Sequence, residues 1–320
     1  MTQSSKTVLE TYQVRKNKKQ KAAFSAYVRS LAEQNGYLYT EERGAFGAKN
    51  LIVGDAQHAK VLYTAHYDTC ARLPFPNFIT PKNILIYLLY QLLITAALLL
   101  PPFVLLIGGT WVADTVAGLS TDAAMLWGMA LFYLSLVGVF WLLLAGPANK
   151  HTANDNTSGV TLLLDVMQTM PKELRDNVAY IFFDLEEAGL FGSSGYRSKH
   201  KKQTQTQLLV NFDCVSDGKN FIFALRKGAR SYAPAFLAAF PEAQGLQREV
   251  LTRGVFYPSD QANFPVGVGV AALRKSRFGG VLYMSRIHTK HDTVYEEENL
   301  SYLCDGCVRL TRLLSEQATR

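Results

Sequence analysis

Imidazole and carboxylate side chains follow several apolar segments of the sequence, each close to where the segment ends. They are His66 and Asp68 in "AHYD", Asp155 in "NDNTSG", Glu186 and Glu187 in "DLEE", Asp213 in "NFD", and His288 in "RIHTKHDT". Nitrogen and oxygen ligands without a thiolate are typical of zinc sites and, less strictly, of manganese, cobalt or iron sites. A single ion uses only three or four such ligands, so a set of this size favours a centre that holds two divalent ions.

Each of these segments is weak evidence when it is taken alone. A histidine after an apolar strand is more often a structural residue, and paired glutamates at a strand end are commonly solvated. The prediction depends on joint occurrence, because five separate segments offer ligands at corresponding positions. Since "RIHTKHDT" also contains His291 and Asp292, residue types alone leave the ligand of that segment open.

Short apolar segments that close in polar residues indicate the elements that position these side chains. The segments predicted as strands are "NLIVGD", "KVLYTAHYD", "VAYIFFDLEE", "QLLVNFD" and "NFIFAL". Their consecutive apolar residues are typical of strands covered on both faces. Helices are predicted for residues 7–35, "SGVTLLLDVMQTM", "YAPAFLAAFPEA" and "ENLSYLCDGCVRLTRLLSEQ". The alternation predicts an α/β fold: a mixed, mostly parallel central sheet with helices on both faces and a site at the carboxyl ends of the strands.

Two long uncharged segments interrupt this pattern. Residues 83–109 and 123–148 contain no Asp, Glu, Lys or Arg, and each is long enough for a helix that crosses a bilayer. We predict a hairpin of two transmembrane helices, over about 84–109 and about 123–146. Pro101 and Pro102 are expected to kink or shorten the first helix. The alternative is a pair of buried helices in a soluble protein.

The charges that flank these segments predict the orientation of the hairpin. The connection carries Asp114 and Asp122 but no Lys or Arg, whereas Arg72, Lys82 and Lys150 flank the outer ends. By the positive-inside rule, the connection lies outside and both long flanks lie in the cytoplasm. Because two crossings return the chain to the same side, we expect residues 1–82 and 147–320 to fold together as one domain, with 83–146 as an inserted hairpin.

The overall composition is that of a globular chain with a basic balance. Of the 320 residues, 48% are apolar, and the formal charge of +7 suits an anionic lipid surface but is too diffuse to indicate nucleic acid binding. The N-terminus contains no apolar core of a secretory signal. It does contain a basic cluster that fits either a membrane surface or a solvated helix face: Arg15, Lys16, Lys18, Lys19 and Lys21. Cys304 and Cys307 form a single CxxC in a predicted helix, which favours ordinary thiols over a metal or redox pair.

The order of the motifs along the chain resembles the M28 family of metallopeptidases, the aminopeptidase-type zinc enzymes. The matching segments are "GAKNLIV" (47–53), "VLYTAHYDT" (61–69), "TANDNTSGV" (152–160), "FFDLEEAGLFGSSGY" (182–196), "VNFDCVSDG" (210–218), "YPSDQANF" (257–264) and "IHTKHDT" (287–293). The resemblance covers nearly all of both flanks, and the hydrophobic pair looks like an insertion between the first two ligand motifs.

The resemblance implies a role for each residue of the acid and histidine set. His66 and Asp213 would bind one metal ion, Glu187 and His288 the other, and Asp155 would bridge the two. Glu186 would be the general base, and Asp68 the carboxylate that orients the histidine ligand His66. Of the two histidines in "RIHTKHDT", the family pattern selects His288 and leaves His291 exposed at a variable position. Asp292 would orient a ligand or anchor its loop. The resemblance gives no role to Asp184, for which we expect a capping or loop-ordering role. Gln261 stands where the family commonly has a histidine that is not a ligand.

These expectations define a leading function and two alternatives. The leading one is a membrane-anchored, cytoplasm-facing dinuclear zinc exopeptidase, an aminopeptidase that acts on peptides. The alternatives are a single-zinc enzyme similar to glutaminyl cyclases and an inactive binding or scaffold protein on the same fold. The Gly and Ala residues of the hairpin could also form a homo-oligomer interface.

Overall fold

A mixed β-sheet forms the centre of the computed structural model, which describes residues 2–317. Its nine strands among the described residues are β1 (Tyr39–Arg43), β2 (Lys49–Val53), β3 (Val61–His66), β4 (Val178–Phe183), β5 (Leu208–Phe212), β6 (Asn220–Leu225), β7 (Gln247–Leu251), β8 (Gly267–Lys275) and β9 (Leu282–Tyr283). They lie in the order β1-β2-β4-β3-β5-β8-β6-β7, and β9 pairs with β8. The central strands β4, β3, β5 and β8 are parallel. The pairs β1-β2, β2-β4 and β8-β6 are antiparallel, and the edge pair β6-β7 is parallel. The predicted fold class is confirmed.

Helices cover both faces of this sheet, and two further helices pack mainly against each other. They are α1 (Gln3–Thr11), α2 (Lys18–Gln34), α3 (Ile84–Thr115), α4 (Thr121–Ala145), α5 (Gly159–Thr169), α6 (Phe191–Lys199), α7 (Ala233–Ala239) and α8 (Glu297–Gln317). The side chains of β3 alternate between two cores: Tyr63 and Ala65 pack in the larger one with α2, α5 and α8, and Leu62 packs in a smaller one with Tyr196 of α6. This double burial explains why the strand is apolar at consecutive positions.

The N-terminal segment differs from the single helix predicted over residues 7–35. It forms α1 and α2, separated by a break in which Arg15 is fully buried. Asn17 caps α2 through a capping box with Gln20, so the second helix has its own start signal. The edge strands β1 and β7 and the long strand β8 were not predicted either.

The two apolar helices α3 and α4 pack against each other and are exposed along most of their length. In the most apolar window of each helix only 6% of the residues are buried, so the rest of the chain does not cover them as two core helices of a soluble protein would be covered. At the crossing, a Cβ on Gly128 would lie 2.6 Å from the carbonyl oxygen of Leu106, so only glycine fits there without a shift of the helices.

The bounds of α3 and α4 also differ from the prediction. Helix α3 continues through Pro101 and Pro102 to Thr115, so the shortening expected at the prolines does not occur. The connection is reduced to residues 116–120. Prolines are tolerated in apolar helices where neighbouring groups satisfy the freed backbone carbonyls.

Candidate metal centre

The parallel centre of the sheet brings the predicted ligands together. His66 ends β3, the two glutamates follow β4 and Asp213 follows β5, and these three strands are neighbours. Because the carboxyl ends of parallel strands meet at one edge, the residues are adjacent although they are far apart in sequence. Asp155 lies in the irregular turn before α5, and His288 lies in the segment between β9 and α8.

Asp155 lies between the two histidines, with one carboxylate oxygen toward each. His66 Nε2 is 3.3 Å from Asp155 Oδ1, and His288 Nε2 is 3.0 Å from Asp155 Oδ2. His66 Nε2 is also 3.5 Å from Asp213 Oδ1, and His288 Nε2 is 3.1 Å from Glu187 Oε2. All five residues predicted as metal ligands therefore meet in two groups that share Asp155.

The donor atoms of this cluster fit divalent cations. Ligands of a tetrahedral zinc ion at 2.0–2.1 Å lie about 3.3 Å from one another, which is close to these nitrogen–oxygen distances. His66 Nδ1 lies 3.2 Å from the carbonyl oxygen of Asp68, so the ring proton belongs on Nδ1 and the lone pair of Nε2 faces two carboxylates. Glu187 Oε1 is buried and has no hydrogen-bond partner among the described residues. A cation between these groups would satisfy all of them.

Asp68 and Asp292 hold the backbone of the ligand segments. Asp68 accepts hydrogen bonds from the backbone N–H groups of Glu186 (3.0 Å) and Glu187 (3.2 Å), and its Oδ1 lies 3.6 Å from His66 Nδ1. Asp292 accepts from the backbone N–H groups of Asn154 (2.8 Å) and Asp155 (3.0 Å). Asp68 thus contacts both the histidine and the glutamate pair, whereas Asp292 fixes the turn that carries Asp155.

Glu186 lies beside the cluster with a carboxylate that favours holding a proton. An oxygen of Glu186 lies within 4.8 Å of ligand atoms of His66 and Glu187. Burial raises the pKa of Glu186 well above its usual value, and Asp213 and Glu187 raise it further, while His66 opposes them. A carboxyl group with a raised pKa at this position can accept a proton and return it.

The neighbouring carboxylates also determine the pKa values of the two histidines. Burial lowers the pKa of each imidazole, but the surrounding acidic groups together outweigh it, with Glu186 the largest of them for His66 and Glu187 for His288, so both pKa values are raised well above the usual range. The pKa of Asp155 is lowered on balance, because its hydrogen bonds to both histidines outweigh its burial. Protons therefore compete with cations for this centre.

Four residues that lie near the centre were not expected there from the sequence: Arg15, Cys70, Tyr257 and Asp260. Arg15 donates to the carbonyl oxygens of Tyr67 (2.6 Å) and Tyr12 (2.6 Å), and its buried charge faces Asp68 and Asp155. Cys70 lies within 4.8 Å of ligand atoms of Glu187 and His288. The other two, Tyr257 and Asp260, lie in the segment that follows β7.

Tyr257 donates to the carbonyl oxygen of Asp213 (2.9 Å), and burial raises the pKa of Asp260 to about 7. As part of the basic cluster, Arg15 was predicted to lie at a membrane surface or on a solvated helix face. It is instead fully buried inside the domain, so both interpretations of the cluster are wrong for this residue.

Other residues singled out in the sequence have structural contacts. Asp184 forms an ion pair with Lys21 and accepts from the backbone N–H of Lys49 (3.0 Å), in line with a supporting role. His291 is exposed, as expected. Gln261 is buried and donates to the carbonyl oxygen of Tyr257 (2.7 Å). Cys304 and Cys307 are buried free thiols in α8.

Solved structures with a similar fold include several exopeptidases and cyclases. A Zn-dependent exopeptidase from Parabacteroides distasonis superposes with a TM-score of 0.57 at 14% identity, over 96% of this chain and 96% of that one. The LapA aminopeptidase of Legionella pneumophila gives 0.54 at 12% identity, over 97% of this chain and 69% of that one. A glutaminyl cyclase of Bacteroides thetaiotaomicron gives 0.52 at 16% identity, over 96% and 94%. At these identities the likeness concerns the fold.

The sequence itself also matches a family. No curated protein matches the chain, but Peptidase family M28 matches residues 137–302, which is slightly more than half of its length. The matched region contains Asp155, Glu186, Glu187, Asp213 and His288 in their expected order. The chain belongs to peptidase family M28.

Proposed function

We propose that this protein is a dinuclear zinc aminopeptidase. Membership of family M28 and the exopeptidase-like fold support a zinc-dependent exopeptidase. One observation carries the finer proposal: each oxygen of Asp155 faces the Nε2 atom of a different histidine. A carboxylate in this position can bridge two cations that lie side by side, whereas a single ion held by Glu187, His288 and Asp155 would leave His66 and Asp213 unused.

In this proposal His66, Asp213 and Asp155 would hold one ion, and Glu187, His288 and Asp155 the other. Two divalent ions bound there would supply a water of lowered pKa and would polarise the scissile carbonyl. Glu186 accepts the proton of the attacking water and delivers it to the departing amine. Asp68 keeps Glu186 and Glu187 in register through their backbone N–H groups.

We further propose that residues 83–146 anchor the enzyme as a transmembrane hairpin in a single peptidase domain made of residues 1–82 and 147–320. Helices α3 and α4 are long and apolar enough to cross a bilayer, and most of their surface is exposed. Basic residues flank only the ends next to the catalytic domain, which supports a cytoplasmic active site.

The test is hydrolysis of aminoacyl amides by the zinc-loaded full-length protein, compared with Glu186→Gln. We expect Glu186→Gln to bind zinc as the wild type does and to lose hydrolysis by about 10²- to 10⁴-fold. Glu33→Gln, at an exposed acid of α2, is the matched control and should retain wild-type turnover. Unchanged turnover in Glu186→Gln would remove this residue as the base, and cyclisation of N-terminal glutamine without amide hydrolysis would favour a cyclase.

A further inference from the structure

The first membrane helix forms part of the wall of the candidate active site. A cleft of about 370 Å³ lies over the cluster, and its lining includes Asp155, Glu186 and Glu187 together with Tyr87 and Gln91 of α3. Tyr87 and Gln91 are four residues apart, so they lie on the same face of the helix. A hairpin that served only as an anchor would not need to reach the reacting groups.

Gln91 is a polar side chain in an otherwise apolar stretch. It is the only amide in α3 and is half-buried at the cleft. No hydrogen bond within the described part of the chain occupies its amide group. The Gln91 amide is therefore available to a ligand in the cleft, and an extended peptide offers backbone N–H and C=O groups to it.

The second helix of the hairpin reaches the other side of the same cluster. A smaller cavity of about 120 Å³ is lined by Leu143 and Leu144 of α4 together with Glu187 and His288. Lys16 donates to the carbonyl oxygen of Leu144 at 2.9 Å, which ties the end of α4 to the catalytic domain. Both helices therefore border the metal centre where they leave the membrane.

The packing of the helices indicates the level of the cleft relative to the bilayer. Phe103 of α3 packs against Phe132 of α4 with ring centroids 5.3 Å apart. Because the two helices run in opposite directions, about twelve residues from this contact toward the domain bring Gln91 of α3 level with Leu144 of α4. Residues 84–89 extend beyond the end of α4, and Tyr87 packs on Phe256 of the domain (5.6 Å). The remaining part of α3 is about 36 Å long, enough for one crossing. Gln91 thus lies at the membrane surface.

We propose that the natural substrates are peptides held in the membrane, with the scissile N-terminal bond only a few residues from an apolar or lipid anchor. This rests on the proposed aminopeptidase function. Tyr87 and Gln91 bind the peptide beyond the residue that follows the scissile bond, and the chain then passes along the hairpin into the bilayer. The outer face of the same turns is apolar, with Leu88 54% and Leu89 57% exposed, and it lies against the headgroup region at the membrane surface.

Two peptides with the same lipid anchor but different spacer lengths test this geometry, because both gain equally from lying in the same membrane as the enzyme. The zinc-loaded full-length protein in phosphatidylcholine vesicles is given peptides with a C-terminal palmitoyl anchor and a spacer of about three or about fifteen residues. Three residues span about 10 Å. We expect the short-spacer peptide to be hydrolysed at least as fast as the long one. Hydrolysis of the short one at less than about a tenth of that rate would overturn the proposal.

A soluble dipeptide amide distinguishes a failure of the proposed aminopeptidase function from a failure of the inference about membrane-held substrates. If the protein does not hydrolyse it, the aminopeptidase function fails and this inference with it; if it does but short spacers resist, only the inference fails. Gln91→Leu and Tyr87→Ala should each lower the ratio of kcat/KM for the short-spacer peptide over the dipeptide amide by about fivefold. Leu89→Ala, on the opposite face of the same turn, should leave that ratio unchanged. Equal ratios in all variants would exclude these contacts.

Discussion

Replacement of Asp68 by Asn tests how the sheet edge holds the reacting groups. In the wild type, Asp68 Oδ1 and Oδ2 accept from the backbone N–H groups of Glu186 and Glu187, and the residue is 3% exposed. Asparagine keeps one oxygen but turns an NH₂ donor toward the second N–H. One charge-assisted hydrogen bond is lost, and a buried N–H is left without an acceptor.

The expected cost follows from these two contacts. A hydrogen bond to a charged group contributes about 1.5–3 kcal/mol, and burial removes the solvent screening that would reduce it. If Glu186 and Glu187 are held less firmly and transition-state stabilisation falls by about 2–3 kcal/mol, kcat/KM falls by about 30- to 150-fold. The side chains differ by one atom type, so the fold and the zinc content should change little.

The assay is kcat/KM on an aminoacyl amide, with zinc content and far-UV circular dichroism measured on the same sample. Asp305→Asn, at an exposed acid of α8, is the control for the chemical change alone and should match the wild type. A kcat/KM for Asp68→Asn within about threefold of the wild type would refute the role given to this carboxylate.

Three further predictions concern the hairpin, the thiols and the metal. Cysteines introduced at Ala117 and Lys150 should be labelled by an impermeant maleimide from opposite sides of sealed vesicles; labelling from one side would exclude the hairpin topology, and the four native thiols are buried and give little background. Burial raises the pKa of Cys304 to about 11, so at about pH 8 only about one thiol in a thousand is ionised. Native protein should therefore resist iodoacetamide at Cys304 and Cys307 and react in denaturant, and rapid native alkylation would contradict this. Because carboxylates raise the pKa of both ligand histidines, zinc must displace protons, and its apparent affinity should fall from about pH 8 to about pH 6 in a competition titration; a flat profile would contradict the assigned ligands.

The sheet and the clustering of its strand-end residues were accessible from the sequence because both follow from local patterns. A strand buried on both faces is apolar at consecutive positions, as in Val178–Phe183, and the residue types that follow it stand out against that background. Parallel neighbours then place those residues at one edge. This is why His66 and Asp213, 147 positions apart, were expected in one site.

The contacts that depend on three-dimensional packing were not accessible in the same way. Arg15 reads as one cation among five, and only the fold shows that it is buried against backbone carbonyls. Cys70 has no ligand-like spacing and comes near Glu187 and His288 only because the chain turns after β3. Tyr87 and Gln91 belong to an apolar segment whose composition predicts a membrane helix and carries no signal that its first turns line a cleft.

The number of zinc ions needed for activity tests the central claim most directly. Protein freed of metal with a chelator is titrated with zinc while hydrolysis of an aminoacyl amide is followed. The shared position of Asp155 predicts that activity rises until two equivalents of zinc per chain are bound and then stays constant. Full activity at one equivalent would contradict the dinuclear centre.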